Sequence, residues 1–292
     1  RTLATGAAFV RPAVTHVTLF NGTTLRINHN QSVNNLSMAP TAAIYLAGAT
    51  TLAINSAGQN GVISGAGGLV KNGAGFAALS GANTYTGGTL VNGGTLRVEN
   101  TVGSGTGTGA VLVKNTGILR GSGFITGDVT VESGGLISGG FGNPGTITLG
   151  NVFLESGASL NFRLKDTLGA SGTPSGYSLL ALSGVLDLAG TSGDPLRLAL
   201  ASNNAAGAAG LAANFDPGTN ATFLVASAAG GITGFAANAW TVDTSAFQNA
   251  FTGAFSLSQT GNNLYLNYAA IPEPSTYAAL AGVLALGLAA WH

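Results

Sequence analysis

The sequence contains no cysteine and carries very little charge. Without cysteine the chain cannot form disulfides, use a thiolate nucleophile or build a cysteine-ligated zinc or iron–sulfur site. Charged residues make up only 7% of the chain, against about 25% in ordinary soluble domains, and ten basic side chains balance ten acidic ones. This neutral composition argues against nucleic acid as a partner, because such binding requires a concentrated positive field.

Aromatic residues are also scarce, but the chain is not depleted in apolar residues. Hydrophobic residues make up 45% of the sequence and the formal net charge is zero, a balance typical of folded rather than disordered chains. Glycine accounts for 47 of the 292 residues, more than twice its usual share of about 7%. Together with many threonine, serine and asparagine residues, this favours short strands joined by tight turns.

A short pattern recurs along the first half of the chain: an apolar residue, a polar bend containing glycine, and a second apolar residue about six positions later. The copies are LFNGTTL from Leu19, LAGATTL from Leu46, VKNGAGF from Val70, VNGGTL from Val91, VKNTGIL from Val113, VESGGLI from Val131 and LESGASL from Leu154. They start 27, 24, 21, 22, 18 and 23 residues apart. A period near twenty predicts a β-solenoid, in which stacked turns bury one continuous core.

The pattern divides the chain into three parts. Residues 1–168 are predicted to form solenoid turns, residues 169–268 further strands with a C-terminal β cap, and residues 269–292 a tail with a short apolar helix. A cap is expected because the open end of a solenoid is an exposed sheet edge. Alternation on both sides of TGNN predicts a hairpin marked by Phe255, Leu257, Leu264, Leu266 and Tyr268.

The stretch GLVKNGAGFAALSGANTYTGGTLVNGGTLRVEN, residues 68–100, resembles the autotransporter-associated β-strand repeat. The part SGANTYTGGTLVNGGTLRV carries most of that likeness, and residues 106–164 are similar to the β-helical passenger regions that follow such repeats. The resemblance implies an all-β fold, a right-handed parallel β-helix, displayed outside a Gram-negative-type cell. It implies no particular reaction.

The end of the chain, IPEPSTYAALAGVLALGLAAWH, resembles the PEP-CTERM sorting signal through Pro272, Glu273, Pro274 and Ser275. The prolines prevent helix and ladder pairing, so Glu273 is expected in an extended, accessible segment. An uncharged run follows, with apolar residues Tyr277, Leu280, Val283, Leu284, Leu286, Leu288 and Trp291. Its fifteen residues are fewer than the roughly twenty of a membrane-spanning helix, which is typical of signal-type segments.

This second resemblance implies a partner and a route. The family's tails hold the chain in the membrane, are recognised by a membrane-embedded exosortase and are removed during export to the cell surface. The basic cluster that follows in that family does not occur after Trp291, so the chain is either truncated or carries an incomplete signal. The sequence starts with Arg1, and we expect a signal peptide to precede it in the natural protein.

No catalytic, metal or cofactor site is predicted. The three histidines, His16, His29 and His292, lack the spacing of metal ligands. The only Gly-x-Gly-x-x-Gly, at Gly140, is interrupted by Pro144 and precedes a strand-like segment, whereas a dinucleotide site requires a helix there.

One set of charged residues suggests a speculative site. If the turns stack in register, the positions after the first apolar residue form a column: Lys71, Asn92, Lys114, Glu132 and Glu155. Glu132 and Glu155 would then be like charges on adjacent turns, which a calcium ion or sugar hydroxyls could bridge. Paired carboxylates about 5–9 Å apart also serve glycoside hydrolysis. The alternative is two separately solvated glutamates.

These features together predict an exported, non-enzymatic surface protein with a structural or adhesive role, possible partners being an exosortase and extracellular polysaccharide. Two alternatives stay open at this point. One is a polysaccharide-active β-helix lyase or hydrolase, which would need a cluster of charged residues on one face. The other is the passenger of an autotransporter separated from its translocation domain.

Overall fold

A computed structural model of the chain describes residues 2–4, 14–188 and 193–271. These residues form a parallel β-solenoid of the right-handed kind. The first strands are β1 (Thr2–Ala4), β2 (Val14–Leu19), β3 (Thr24–Ile27), β4 (Gln31–Met38), β5 (Ala43–Leu46), β6 (Thr51–Gln59), β7 (Val62–Gly65), β8 (Gly68–Lys71) and β9 (Phe76–Leu79). The predicted all-β solenoid is thereby confirmed, since most strand pairs are parallel and join successive turns.

The middle turns contain shorter strands separated by glycine bends. They are β10 (Thr89–Val91), β11 (Gly94–Val98), β12 (Val111–Val113), β13 (Gly117–Gly121), β14 (Phe124–Ile125), β15 (Val129–Val131), β16 (Leu136–Gly139), β17 (Thr146–Leu149), β18 (Val152–Leu154) and β19 (Ser159–Leu164). The last are β20 (Leu179–Leu182), β21 (Leu186–Asp187), β22 (Leu196–Ser202), β23 (Ala221–Ala228), β24 (Ile232–Thr233), β25 (Trp240–Ala246), β26 (Ala254–Thr260) and β27 (Asn263–Ala269), with one 3₁₀ turn at Ala237–Ala239.

The first strands form a parallel sheet of β1, β3, β5 and β7 and a parallel run of β2, β4 and β6. From β8 onward the strands stack into three parallel ladders. Ladder A runs through β8, β10, β12, β15, β18, β21 and β24, and ladder B through β9, β11, β13, β16, β19, β22 and β25. Ladder C runs through β14, β17, β20 and β23. The long strand β6 pairs with both β8 and β9, so ladders A and B join there. The parallel pairing continues past residue 168 as far as β25.

The core consists of apolar columns that run along the solenoid axis. In ladder A the column contains Val91, Val113, Val131 and Leu154, and in ladder B it contains Leu96, Leu119, Ile137, Leu160 and Leu198. All are at most 2% exposed. Each such side chain contributes about 1.5–3 kcal/mol on burial. In the copies from Val91 onward, the apolar positions of the repeated pattern are therefore the residues that stabilise the stack.

The register differs from the predicted column at one position. Val91 pairs with Lys71, not with Val70, so the 21-residue interval between their pattern copies hides a slip of one residue. A slip of one residue exchanges the two faces of a strand. Lys71 therefore lies in the core column, and Asn72 takes the place beside Asn92 that the sequence analysis gave to Lys71.

The C-terminal end contains an antiparallel element. Strands β26 and β27 form a hairpin, and β27 pairs antiparallel with β23 at the end of ladder C. Phe255 pairs with Tyr268 and Leu257 with Leu266, which confirms the predicted hairpin. Two rings of the hairpin, Phe255 and Tyr268, form an aromatic cluster with Phe215, Phe247 and Phe251. The role of this hairpin as a cap remains a prediction.

Candidate functional site

Glu132 and Glu155 lie on adjacent turns of ladder A, each directly after its strand. The backbone N–H of Glu132 donates to Val113 at 2.9 Å, and that of Glu155 donates to Val131 at 3.0 Å. Glu132 is half-buried and Glu155 is exposed. The two residues therefore share a register position, as expected for the column. Their use as a ligand or ion pair is untested by these contacts and remains a prediction.

Lys71 does not belong to the column of Glu132 and Glu155, because it lies in the core and stabilises the stack. Its side chain is fully buried, and Nζ donates to the carbonyl oxygens of Asn72 at 2.6 Å, Gly73 at 2.9 Å and Gly93 at 3.1 Å. Burial lowers the pKa of Lys71, while three carbonyl acceptors stabilise its ammonium form. The amine thus ties the bend of one turn to the bend of the next.

The segment that resembles the autotransporter-associated repeat contributes buried polar residues that hold neighbouring turns together. Asn83 is buried, and its amide accepts from the N–H of Ile63 at 2.8 Å and donates to the carbonyl of Gly105 at 2.6 Å. It therefore links the turn before it to the turn after it. Tyr85 is fully buried and its hydroxyl lies 2.6 Å from Thr89 Oγ1. Both residues of the SGANTYTGG motif hold the stack together, because buried polar groups require partners.

Two of the three histidines, His16 and His29, lie among the described residues, on separate strands or bends. His16 and His29 are exposed, and His16 lies in register with Asn35 on the neighbouring turn. Across residues 2–4, 14–188 and 193–271, no group of three or more histidine, aspartate or glutamate side chains could hold a metal ion.

The residues of the predicted tail signal lie beyond the part of the chain that the structure describes. The predicted sorting signal, Pro272, Glu273, Pro274 and Ser275, lies outside the described residues. So do the apolar residues Tyr277, Leu280, Val283, Leu284, Leu286, Leu288 and Trp291, and His292. In the part of the chain that is described, no helix has the length and apolar character needed to cross a membrane.

A basic and aromatic patch on ladder B was not predicted from the sequence. We define the Arg–Phe patch as Phe76, Arg97, Arg120, Phe141 and Arg163. Arg97 and Arg120 are in register on adjacent turns. The Phe141 ring lies 4.4 Å from the Arg97 guanidinium carbon and 4.9 Å from that of Arg120. The ladders thus bring arginines from separate turns together around one exposed ring.

The sequence contained a partial signal for this patch. An arginine follows an apolar residue in TLRV at Arg97, ILRG at Arg120 and NFRL at Arg163. The spacing of the first two, 23 residues, matches the period of the solenoid. Phe141 could not be found this way, because it reaches the arginines from a bend that follows another strand.

Comparison with known proteins gives one family match. A family model for the passenger-associated-transport-repeat matches residues 69–98. The match overlaps the segment whose resemblance to autotransporter-associated repeats was noted above, and it suggests a secreted or cell-surface protein. No curated protein and no solved structure matches the chain.

Proposed function

We propose that the protein is a non-enzymatic passenger-type rod displayed at the surface of a Gram-negative-type bacterium, with a structural or adhesive role in its extracellular matrix. The observation that carries this proposal is the solenoid that contains the passenger-associated repeat at residues 69–98. The buried polar residues of that repeat serve the stack, as Asn83 and Tyr85 show, and leave the outer faces free for contacts.

The chemistry of the bends supports a structural role. Amide side chains from adjacent turns bond to each other: Asn92 Nδ2 donates to Asn72 Oδ1 at 3.1 Å, and Asn55 Nδ2 donates to Asn34 Oδ1. Such ladders add polar contacts along the axis without adding net charge. A neutral, stiff surface with many hydroxyl and amide groups is suited to hydrogen bonding with polysaccharide.

The proposal includes processing at the C-terminal tail. In this proposal an exosortase recognises the segment around Pro272–Ser275, the apolar run holds the chain in the membrane beforehand, and the mature rod is released or anchored outside the cell. The support for this step is the sequence resemblance alone.

Two measurements test the proposal. Protease treatment of intact cells tests the surface assignment, and the intact mass of the protein recovered from untreated cells tests the sorting step. We expect the rod to be removed by external protease and its mature chain to end near Pro272–Ser275. A Glu273→Ala variant should retain the apolar run. The control is Glu155→Ala, which changes an exposed glutamate far from the tail in the sequence and should be processed normally. A protein that is protected from external protease would overturn the surface assignment. Normal processing of Glu273→Ala would overturn the sorting step.

A further inference from the structure

We propose that the Arg–Phe patch is a binding site for acidic polysaccharide, in which guanidinium groups bind the carboxylates of uronic acid residues and the phenyl rings contact the sugar faces. This inference rests on the proposed function, since it supplies a ligand for a surface-displayed rod. It is carried by a separate set of observations on ladder B.

The first observation is a concentration of positive charge, since Arg97, Arg120 and Arg163 supply three of the ten basic side chains of a charge-poor chain. Arg97 and Arg120 occupy neighbouring turns, which in a parallel ladder lie about 4.8 Å apart. Arg163 reaches the same bend as Phe141, since its Nη1 donates to the carbonyl of Gly142 at 3.0 Å. Burial lowers the pKa of Arg120, and the charges of Arg163 and Arg97 lower it further. Three guanidinium groups thus share one face.

The second observation is that the charges are poorly compensated. Glu99 forms an ion pair with Arg97, with 2.5 Å between Nη2 and Oε2. Arg120 donates from Nη2 to the hydroxyl of Thr95 at 3.0 Å, and the charges that act on it, those of Arg163 and Arg97, are both positive. Half-buried charges of one sign are costly unless an opposite charge is nearby. An anion at this position would remove that cost.

The third observation is a pair of unused donors. The Nε atoms of Arg97 and Arg120 are buried and have no hydrogen-bond partner. Buried donors normally have partners, and one left without a partner destabilises the site. A small rearrangement of these side chains around a carboxylate would let each guanidinium present its fork of N–H groups, which matches carboxylate geometry.

The fourth observation is the aromatic surface beside the guanidinium groups. Phe76 is 50% exposed and Phe141 is 42% exposed. Their rings are nearly parallel, at 23°, with centroids 6.3 Å apart, and the Arg97 guanidinium lies against both. Large exposed phenylalanines on a folded surface mark interaction sites. Flat rings beside cationic groups fit the apolar face and the acidic edge of a uronic acid.

The patch is held in place before any ligand arrives. The bend that carries Phe141 is fixed at Gly142, whose carbonyl accepts from Arg163 Nη1 at 3.0 Å and from Asn203 Nδ2 at 3.2 Å. Asn143 Oδ1 accepts from Lys165 Nζ at 2.9 Å. A site that is already ordered loses less conformational entropy on binding.

A carboxylated polysaccharide fits these features better than nucleic acid does. The chain has no net charge, whereas nucleic-acid binding depends on a broad basic surface. The patch is small, and its exposed rings are phenylalanines set next to a few charges. Repeating carboxylates on a polymer could also engage successive arginines along the solenoid axis.

Binding of the folded protein to immobilised polygalacturonate, dextran and dextran sulfate tests the inference. We expect binding to polygalacturonate, no binding to dextran, and a decrease with rising salt as ions screen the contacts. Arg120→Gln and Arg97→Gln should each weaken binding about tenfold, the loss expected for a charge-assisted contact. Phe141→Ala should weaken it several-fold while leaving its salt dependence unchanged.

Arg197→Gln is the matched control, because Arg197 is an ion-paired arginine like Arg97, with Asp243 as its partner, and lies on the same ladder but outside the Arg–Phe patch. It should bind like the unmodified protein, and thermal unfolding would show that all variants fold. Equal affinity of Arg120→Gln and Arg197→Gln would overturn the inference. So would tight binding of dextran sulfate that Phe141→Ala does not affect, since that would indicate simple ion exchange. A failure here would leave the surface assignment intact, since protease treatment of cells tests that assignment independently.

Discussion

Lys71 occupies an apolar core position, and its amine reaches the bend carbonyls of two successive turns. Replacing it with methionine keeps the aliphatic volume but leaves the carbonyls of Asn72, Gly73 and Gly93 without this donor. We expect Lys71→Met to lower the free energy of unfolding by about 3 kcal/mol, because these bonds involve a charged donor. Urea unfolding followed by circular dichroism would measure the loss.

Lys114→Met is the matched control for that experiment. Lys114 follows β12 on the same ladder and is only half-buried, so its substitution should change the free energy of unfolding by less than about 0.5 kcal/mol. Similar losses for the two variants would contradict the role given to the Lys71 amine.

At the scale of an element, the end of β13 depends on a glycine. Gly121 has φ of +140°, and a Cβ placed on it would lie 2.0 Å from the carbonyl oxygen of Val98 on the preceding turn. Gly121→Ala should therefore combine backbone strain with a clash between turns, and we expect a loss of about 2–4 kcal/mol in unfolding free energy. Gly58→Ala is the control, since a Cβ on Gly58 meets nothing within 4 Å. An equal effect of both changes in thermal unfolding would refute this explanation.

The strands were more predictable than the contacts between turns. The spacing of Val91, Val113, Val131 and Leu154 predicted the solenoid, because the same apolar residues form its core column. The register at Lys71 could not be predicted, since a slip of one residue leaves the period almost unchanged. The tail at residues 272–292 stays a prediction from resemblance.

The Arg–Phe patch shows the same limit in a candidate site. The sequence places an arginine at a similar position in several turns, and the period brings Arg97 and Arg120 together. The contact of Phe141 with both depends on the path of the bend at Gly140–Pro144, which is fixed by distant residues such as Asn203. Short-range patterns carry no information on such contacts.

At the scale of the whole molecule, a solenoid is stabilised by contacts between neighbouring turns, so its ends behave differently from its middle. At the C-terminal end, β27 covers the edge of β23, and Phe255 and Tyr268 of the hairpin pack on the aromatic cluster. The Tyr268 hydroxyl also donates to the carbonyl of Pro217 at 2.9 Å. Removing the hairpin would expose both a strand edge and apolar rings.

We therefore expect a chain ending at Gly253 to self-associate, because an unpaired edge strand is a template for pairing with another chain. A chain ending at Ile271, which keeps the hairpin and lacks only the tail, should stay monomeric under the same conditions. Sedimentation velocity over a range of protein concentrations distinguishes the two, through a mass that rises with concentration for the shorter chain alone. If both chains remained monomeric, the hairpin would not be the cap, and the end of the solenoid would have to be protected by the bends around Phe215 and Phe247.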